Sequence, residues 1–228
     1  MCNRITQFRT GSEYMAALGW ETGGRDSANG GPRYNVAPGA SSHILHRLPA
    51  GQRAIARLRW GCELPRTRGR PDVVATLSAV DSLDCARIAL MWRQGRCVVP
   101  ADGWFEWRDD ADSPVAYRIR LPNDAPMFFA ALTDLHLPRA RGVPPGFIIV
   151  TAHAGYGLVE LADRRPVVLA QEDALLWLDP KTPLEMARHI VSELLLPPPA
   201  FEWYVVSPMV RDAGYDSPEL LVPLEEPA

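Results

Sequence analysis

Lysine is almost missing from this chain. Lys181 is the only one, and arginine supplies the other 23 of the 24 basic residues. A GC-rich genome produces that bias with no function attached, so the bias alone names no partner. Cysteine is scarce and scattered: Cys2, Cys62, Cys85 and Cys97 lie far apart with no CxxC pair. That spacing signals neither a zinc site nor a disulfide framework, and no metal or cofactor motif is present. The last three are expected to pack as small apolar residues. A reducing cytoplasm fits this cysteine usage and would keep Cys2 free. No apolar run approaches the ~20 residues needed to span a bilayer, so no membrane partner is expected. The N-terminus lacks a basic-then-apolar pattern, so no secretory signal is expected. Internal repeats and low-complexity blocks are absent.

What is there suits a folded domain. At 228 residues with 47% apolar content, the chain can bury a substantial core. The net charge of −3 hides an asymmetry: residues 1–120 hold 17 Arg against 12 acids, while residues 121–228 hold 7 basic residues against 15 acids. Arg47 to Arg70 carries seven Arg against one acid, Glu63. A local Arg cluster in an acidic protein points to a polyanion-facing patch, and the guanidinium fork binds two phosphate oxygens at once.

Cys2 follows Met1 directly in Met1-Cys2-Asn3-Arg4. Removal of Met1 is expected, because Cys is small enough for an aminopeptidase. It would leave an α-amine and a thiol on adjacent carbons. Such a 1,2-aminothiol condenses with an aldehyde and closes to a thiazolidine. Both groups ionise near neutrality, at ~7.7–8.0 and ~8.5, so a neighbouring acid or base can activate either. Position alone favours an early residue in a loose terminus, and the rest of the chain changes that balance.

Along the chain, Asn29-Gly30-Gly31-Pro32 signals a turn, and Arg33 to Gly39 reads as a further irregular piece. Ser42 to Leu48 and Ala54 to Trp60 read as strands. In the second, Ala54, Ala56, Leu58 and Trp60 share one face, and Arg53, Arg57 and Arg59 join Ile55 on the other. Gly61 to Val74 reads as an exposed loop. A helix is predicted over Asp81 to Trp92 with Gly95 ending it, then a buried strand over Arg96 to Val99 and a tight turn at Pro100-Ala101-Asp102-Gly103. Trp104-Phe105-Glu106-Trp107 sets a carboxylate between large aromatics. Burial there would raise its pKa toward neutral and suit it to proton transfer; on an alternating strand it could equally point to solvent. Val115 to Leu121, Met127 to Leu132, Phe147 to Thr151, Val167 to Leu169 and Glu202 to Val206 read as strands. Helices are predicted over Gly155 to Ala162, Glu172 to Leu178 and Pro183 to Leu194, with Asp163 to Pro166 as a break and Pro197 to Pro199 as a linker. Strands and helices interleave without a regular βαβ rhythm, which predicts an α+β fold.

Several of these pieces occur together in order: the Cys2 start, Tyr34-Asn35-Val36-Ala37-Pro38, Trp60-Gly61, Arg96 to Trp107, Phe129-Ala130-Ala131-Leu132, Asp163-Arg164-Arg165-Pro166-Val167-Val168-Leu169, Trp203 to Ser207 and Ser217-Pro218-Glu219-Leu220. In these the chain resembles the SRAP family, the SOS-response-associated peptidase-like proteins. The resemblance covers nearly the whole chain and is most specific from Arg96 to Trp107. It implies a single SRAP-like domain over 1–228, with a mixed, mainly antiparallel, barrel-like β core flanked by short helices. It implies a monomer, cytoplasmic and nucleoid-associated, that senses abasic sites in single-stranded DNA. There the opened sugar's aldehyde would be captured by Cys2 as a thiazolidine crosslink, and Met1 would be lost by autoproteolysis. By resemblance Glu106 is the catalytic carboxylate, and Arg4, Trp60, Trp107 and Arg164 face the DNA strand.

The departures are specific. The family's Met-Cys-Gly-Arg opening is here Met1-Cys2-Asn3-Arg4. Its Asn-Ala-Arg-Ala-Glu stretch corresponds to Thr76-Leu77-Ser78-Ala79-Val80, so Thr76 stands at the active-site Asn and Ser78 at the associated Arg. The family's His is Ala162. A Thr hydroxyl can still bond a sugar oxygen; Ala162 cannot transfer a proton. His153 lies nine residues earlier, within conceivable reach. Two other readings stand beside the first: a divergent paralogue that binds DNA without efficient crosslinking, and a thiol peptidase acting on other proteins.

Overall fold

The computed structural model describes residues 3–20, 25–26, 30–48, 51–64, 72–79, 85–108, 114–155, 157–158 and 161–224. In chain order the strands are β1 Ile5–Gln7, β2 Arg25–Asp26, β3 Arg33–Val36, β4 Ser41–Arg47, β5 Arg53–Trp60, β6 Cys62–Leu64, β7 Asp72–Val74 and β8 Thr76–Ser78. They continue as β9 Arg96–Ala101, β10 Gly103–Arg108, β11 Val115–Arg120, β12 Met127–Thr133, β13 Gly146–His153, β14 Arg164–Pro166, β15 Val168–Leu169 and β16 Glu202–Val206. The helices are α1 Gly11–Ala17, α2 Ala86–Gln94, α3 Gln171–Leu178 and α4 Leu184–Glu193.

Five strands close on themselves. Strand β4 pairs β5 and β9, β9 pairs β12, β12 pairs β13, and β13 returns to β5. All of these contacts are antiparallel except the last, which is parallel and short: Gly146 lies opposite Arg59 and Phe147 opposite Trp60. The closure needs Gly146, because a Cβ there would stand 2.2 Å from the Gly61 carbonyl oxygen. Closing the ring removes the unpaired strand edges that an open sheet would expose. A second, fully antiparallel sheet runs β16-β11-β10-β1-β3.

Alternation along the strands divides the apolar residues between cores. One face of the barrel strands, with Leu45, Ile55, Val98, Leu132 and Ile148, packs against Met91, Trp177 and Ile190 of the helices. The other face, with Ile44, Trp60, Val99, Phe129 and Phe147, packs against Ile5, Trp104 and Tyr117 of the second sheet. A third cluster covers the reverse of that sheet, where Phe105, Ala116 and Val206 meet Val210 and Leu220 of the C-terminal segment.

The α+β composition and barrel-like core therefore agree with the sequence. Cys62 and Cys97 are buried, and Cys85 packs partly against the helix-side core, so they behave as the small apolar residues expected. Several local readings differ. Arg33 to Val36 is a strand rather than irregular, because β1 supplies its partner. Part of the Gly61 to Val74 loop is the β6–β7 pair, with Cys62 opposite Val74; residues 65–71 lie outside the described residues. The helix predicted from Asp81 starts at Ala86, and its first predicted residues lie outside the described ones. No helix forms among the described residues of 155–162. Asp163 to Pro166 contributes β14, since β13 offers a free edge there. Helix α1 has no counterpart in the sequence reading, although Thr10 and Glu13 form a reciprocal capping box at its start. Among the described residues, no helix is long and apolar enough to cross a membrane.

Candidate functional site

Strand β10 pairs at its edges with β1 and β11, and its two faces are covered by the inter-sheet core and by the C-terminal cluster. Trp104 points into the inter-sheet core, while Phe105 and Trp107 pack on the reverse with the third cluster. Glu106 shares the Trp104 face by alternation. That explains why it is only 3% exposed, where an alternating strand at a surface would leave it wet. Burial pushes its pKa up to about 7, so near neutral pH the acid and carboxylate forms are both well populated.

Glu106 lines a small hollow of about 10 Å³, room for about one water, with Trp104, Leu158, Ala162, Arg164 and Arg165. Three of the residues singled out in the sequence (Glu106, Ala162 and Arg164) thus meet in one place. Arg164 is held on the floor by Thr151: its Nε donates to Thr151 Oγ1 (3.1 Å), and its Nη2 to the Thr151 carbonyl (2.6 Å). Arg165 is buried. Its Nε and Nη2 donate to the carbonyls of Ala154 and Leu196, Nη1 has no partner, and burial pushes its pKa down to about 10. The Ala162 methyl occupies the wall where the family's imidazole would stand. His153 is exposed, sits opposite Arg164 in the ladder, and accepts at Nδ1 from the Gly155 N–H (3.2 Å). It is not part of the hollow.

Thr76 reaches the neighbourhood through backbone pairing. Strand β8 runs parallel to β13, with Thr76 opposite Ile149 and Ser78 opposite Thr151. Thr151 also pairs with Pro166, so it carries β8 on one edge and β14 on the other. Thr76 is half-buried and does not line the hollow.

The two tryptophans expected at DNA differ. Trp60 is 0% exposed, stacked on Phe147 at 6.3 Å, and donates to the Ala75 carbonyl (2.9 Å). It cannot stack on a base, and the expectation is corrected on that ground. Its indole instead fixes the residue that precedes Thr76. Trp107 is half-buried on the face opposite Glu106, away from the hollow.

Cys2 and Met1 lie outside the described residues. The path that leads to them is well defined. Ile5 sits opposite Trp104, and the Phe105 N–H donates to the Arg4 carbonyl (3.0 Å). Continuing that register sets Asn3 across from Glu106. The Arg4 guanidinium is partly engaged already, donating to the carbonyls of Asn3 (2.9 Å) and Arg211 (3.0 Å), and burial lowers its pKa.

Strand β1 is clamped by residues the sequence did not single out. The buried Gln7 amide donates to the Pro100 carbonyl (2.6 Å) and accepts from Ser42 Oγ (2.8 Å). The Asp102 carboxylate is fully buried and accepts from the Phe8 N–H (2.7 Å), the Tyr14 hydroxyl and the Arg9 guanidinium. In the sequence Asp102 reads only as a turn residue. Its position between two consecutive strand readings is the available signal.

Comparison with known proteins shows what the chain as a whole is similar to. The family model described as SOS response associated peptidase (SRAP) matches residues 1–213. The chain is 31% identical over 227 residues to the abasic site processing protein YedK of Escherichia coli, covering 98% of this chain and 100% of that one. It is 32% identical over 199 residues to the abasic site processing protein YoaM of Bacillus subtilis, covering 83% and 84%. A crystal structure of a phage-related protein from Bordetella bronchiseptica superposes with a TM-score of 0.74 at 35% identity, covering 90% of this chain and 94% of that one. A Bacteroides thetaiotaomicron protein at 18% identity shares the fold, with a TM-score of 0.78 over 98% and 100% of the two chains. With its motifs in order and nearly its whole length matched, the chain belongs to the SOS response associated peptidase (SRAP) family.

Proposed function

We propose that this protein captures abasic sites in single-stranded DNA as a covalent thiazolidine on Cys2, after Met1 has been removed, in the response to DNA damage. The observation that carries the reading is Glu106: a buried carboxyl group with a pKa of about 7, facing a hollow on the strand along which the N-terminal residues run. The names of the similar proteins support the same substrate.

The chemistry balances without an added reagent. The α-amine of Cys2 adds to the aldehyde carbon of the opened sugar. The carbinolamine loses its hydroxyl as water, with Glu106 in its acid form supplying the proton, to give a protonated imine (iminium). Glu106, now a carboxylate, takes the thiol proton as sulfur attacks the iminium carbon. The ring nitrogen ends as a secondary amine, and one water is lost overall. Autoproteolytic release of Met1 would use the same carboxyl group. Arg4 and Arg164 would meet phosphates, Trp107 would stack on a base, and Thr76 would bond a sugar oxygen.

Ala162 favours one rival. Without the family's imidazole the hollow has lost a proton-transfer group, and such a loss costs ~10²–10⁴-fold in rate. A paralogue that binds DNA without crosslinking would look the same. A denaturing gel and intact mass on protein incubated with an abasic oligonucleotide separate the two. An adduct equal to the oligonucleotide minus one water, absent in Cys2→Ala, supports capture. Salt-sensitive binding with no adduct supports the rival, and peptide cleavage with no DNA affinity would support a thiol peptidase.

A further inference from the structure

We infer that a second site, a cavity at the Arg96 end of β9, binds a nucleoside phosphate. It is separate from the Glu106 hollow and does not rest on the reading above. Arg96 begins β9 and Ala101 ends it, so the six-residue strand puts about 17 Å between this cavity and the turn into β10.

The cavity encloses about 530 Å³, far more than one phosphate needs and in the range of small-ligand sites. Its polar wall is Arg47, Arg93, Gln94, Arg96 and His136, with no acidic side chain among the described lining residues, in a chain whose net charge is −3. Burial lowers the pKa of Arg96, and the charge of Asp179, whose carboxylate accepts from the Lys181 N–H (2.9 Å), offsets part of that.

The three guanidinium groups play different parts. Arg96 is buried and uses four of its five N–H donors: Nε donates to the Trp177 carbonyl (2.8 Å), Nη1 to Trp92 (3.0 Å), and Nη2 to Asp179 (2.7 Å) and Thr182 (3.0 Å). It caps the ends of α2 and α3, and to a ligand it offers chiefly fixed charge. Arg93 is exposed and has no hydrogen bond or ion pair among the described residues. Arg47 donates only from Nη1, to the Gly51 carbonyl (3.1 Å), and its Nε is buried without a partner. Two guanidinium groups therefore have unused donors beside a third fixed cation, an arrangement suited to a tetrahedral anion.

His136 adds a polar ring. Its Nε2 lies 3.3 Å from His46 Nδ1, which also lies 3.3 Å from the Arg47 carbonyl, so one hydrogen is shared between the two rings. Burial lowers the pKa of both rings and favours their neutral forms. Opposite the cations, Leu48, Leu178 and Pro180 form an apolar wall. A charged end and an apolar wall fit a phosphate joined to a sugar and base better than inorganic phosphate. The same chemistry is offered by a free mononucleotide and by the phosphorylated end of a strand.

Calorimetric titration tests both sources. The probes are thymidine 5′-monophosphate, and an intact single-stranded oligonucleotide with either a 5′-phosphate or a 5′-hydroxyl. The proteins are wild type, the double variant Arg47→Ala/Arg93→Ala, the exposed-site variant Arg93→Glu and, as control, Glu106→Gln. A free-nucleotide site predicts that thymidine monophosphate binds wild type and Glu106→Gln alike and binds the Arg variants at least ~10-fold more weakly. A strand-end site predicts the same loss only for the advantage of 5′-phosphate over 5′-hydroxyl. If the double variant unfolds, Arg93→Glu alone carries the comparison. No binding of any phosphate probe, or binding that the Arg variants leave unchanged, overturns the proposal. Failure of Cys2 to crosslink would leave it standing.

Discussion

The hydroxyl of Tyr14 donates to the carboxylate of Asp102, 88 residues further along the chain, and both groups are buried. This contact fastens the first helix to the turn between β9 and β10, and so fixes the strand that leads to Cys2 beside the strand that carries Glu106. Asp102→Ala would leave the Phe8 N–H, the Tyr14 hydroxyl and the Arg9 guanidinium without their acceptor. The expected loss is about 3–5 kcal/mol, against about 1 kcal/mol for Tyr14→Phe, read by urea unfolding. If Asp102→Ala costs no more than Tyr14→Phe, the clamp is not organised around that carboxylate.

Glu106 gives stability a definite dependence on pH. Its folded pKa, about 7, is raised above the ordinary 4.5 by burial. The folded state therefore holds a proton that the unfolded chain releases between those values. Stability falls as pH rises through that window, by about 1.4 kcal/mol per unit of difference and about 3 kcal/mol in all. Glu106→Gln removes this slope and is expected to unfold at higher urea than wild type at pH 8, with the difference vanishing near pH 4. Equal pH profiles for the two proteins would contradict the burial argument.

The same variant separates chemistry from binding. Glu106→Gln is expected to slow crosslinking by ~10²–10⁴-fold while leaving affinity for an abasic-free oligonucleotide unchanged. Affinity lost in parallel with rate would mean that the carboxyl group organises the DNA site rather than moving protons.

Arg164 and Trp60 are expected to part company, although the sequence grouped them. Arg164→Ala should weaken single-stranded DNA binding and lower the salt slope by about one phosphate contact. Trp60→Ala should cost about 3–5 kcal/mol of stability with unchanged DNA affinity in the folded fraction. A Trp60 variant that is stable and binds DNA poorly would refute the placement of that indole in the core.

Thiol labelling provides an independent check. Burial pushes Cys62 up to about 12 and raises Cys97 well above its ordinary value. In Cys2→Ala neither should react with Ellman's reagent until denaturant is added. Fast labelling of either would show that the barrel opens under native conditions.

Much of this is readable along the chain because it is local. Alternation marks β5 and β11 to within a residue, since a strand buried on one face repeats every second position, and short apolar runs mark β4 and β12 as closely. The order of motifs identified the family, and the barrel-like core followed from it. Local composition could not show that both faces of β10 are covered. Hence Glu106 could be read either way, and Trp107, its neighbour in sequence, lies on the opposite side of the sheet. Trp60 is the clearest case: an indole beside an arginine-rich strand face looks like a stacking platform until β13 closes the barrel over it.

The residues alone settled the alternation, the scattered thiols and the placement of Cys2 directly after Met1, because each depends on neighbours a few positions away. Long-range contact settled the rest. Burial raises the pKa of Glu106, and that burial is made by strands and loops distant in the chain. Arg164 is aimed by Thr151 across a ladder. Arg47, Arg93 and Arg96, from three separate elements, converge on one cavity only after the chain has folded, and no spacing in the sequence encodes that convergence.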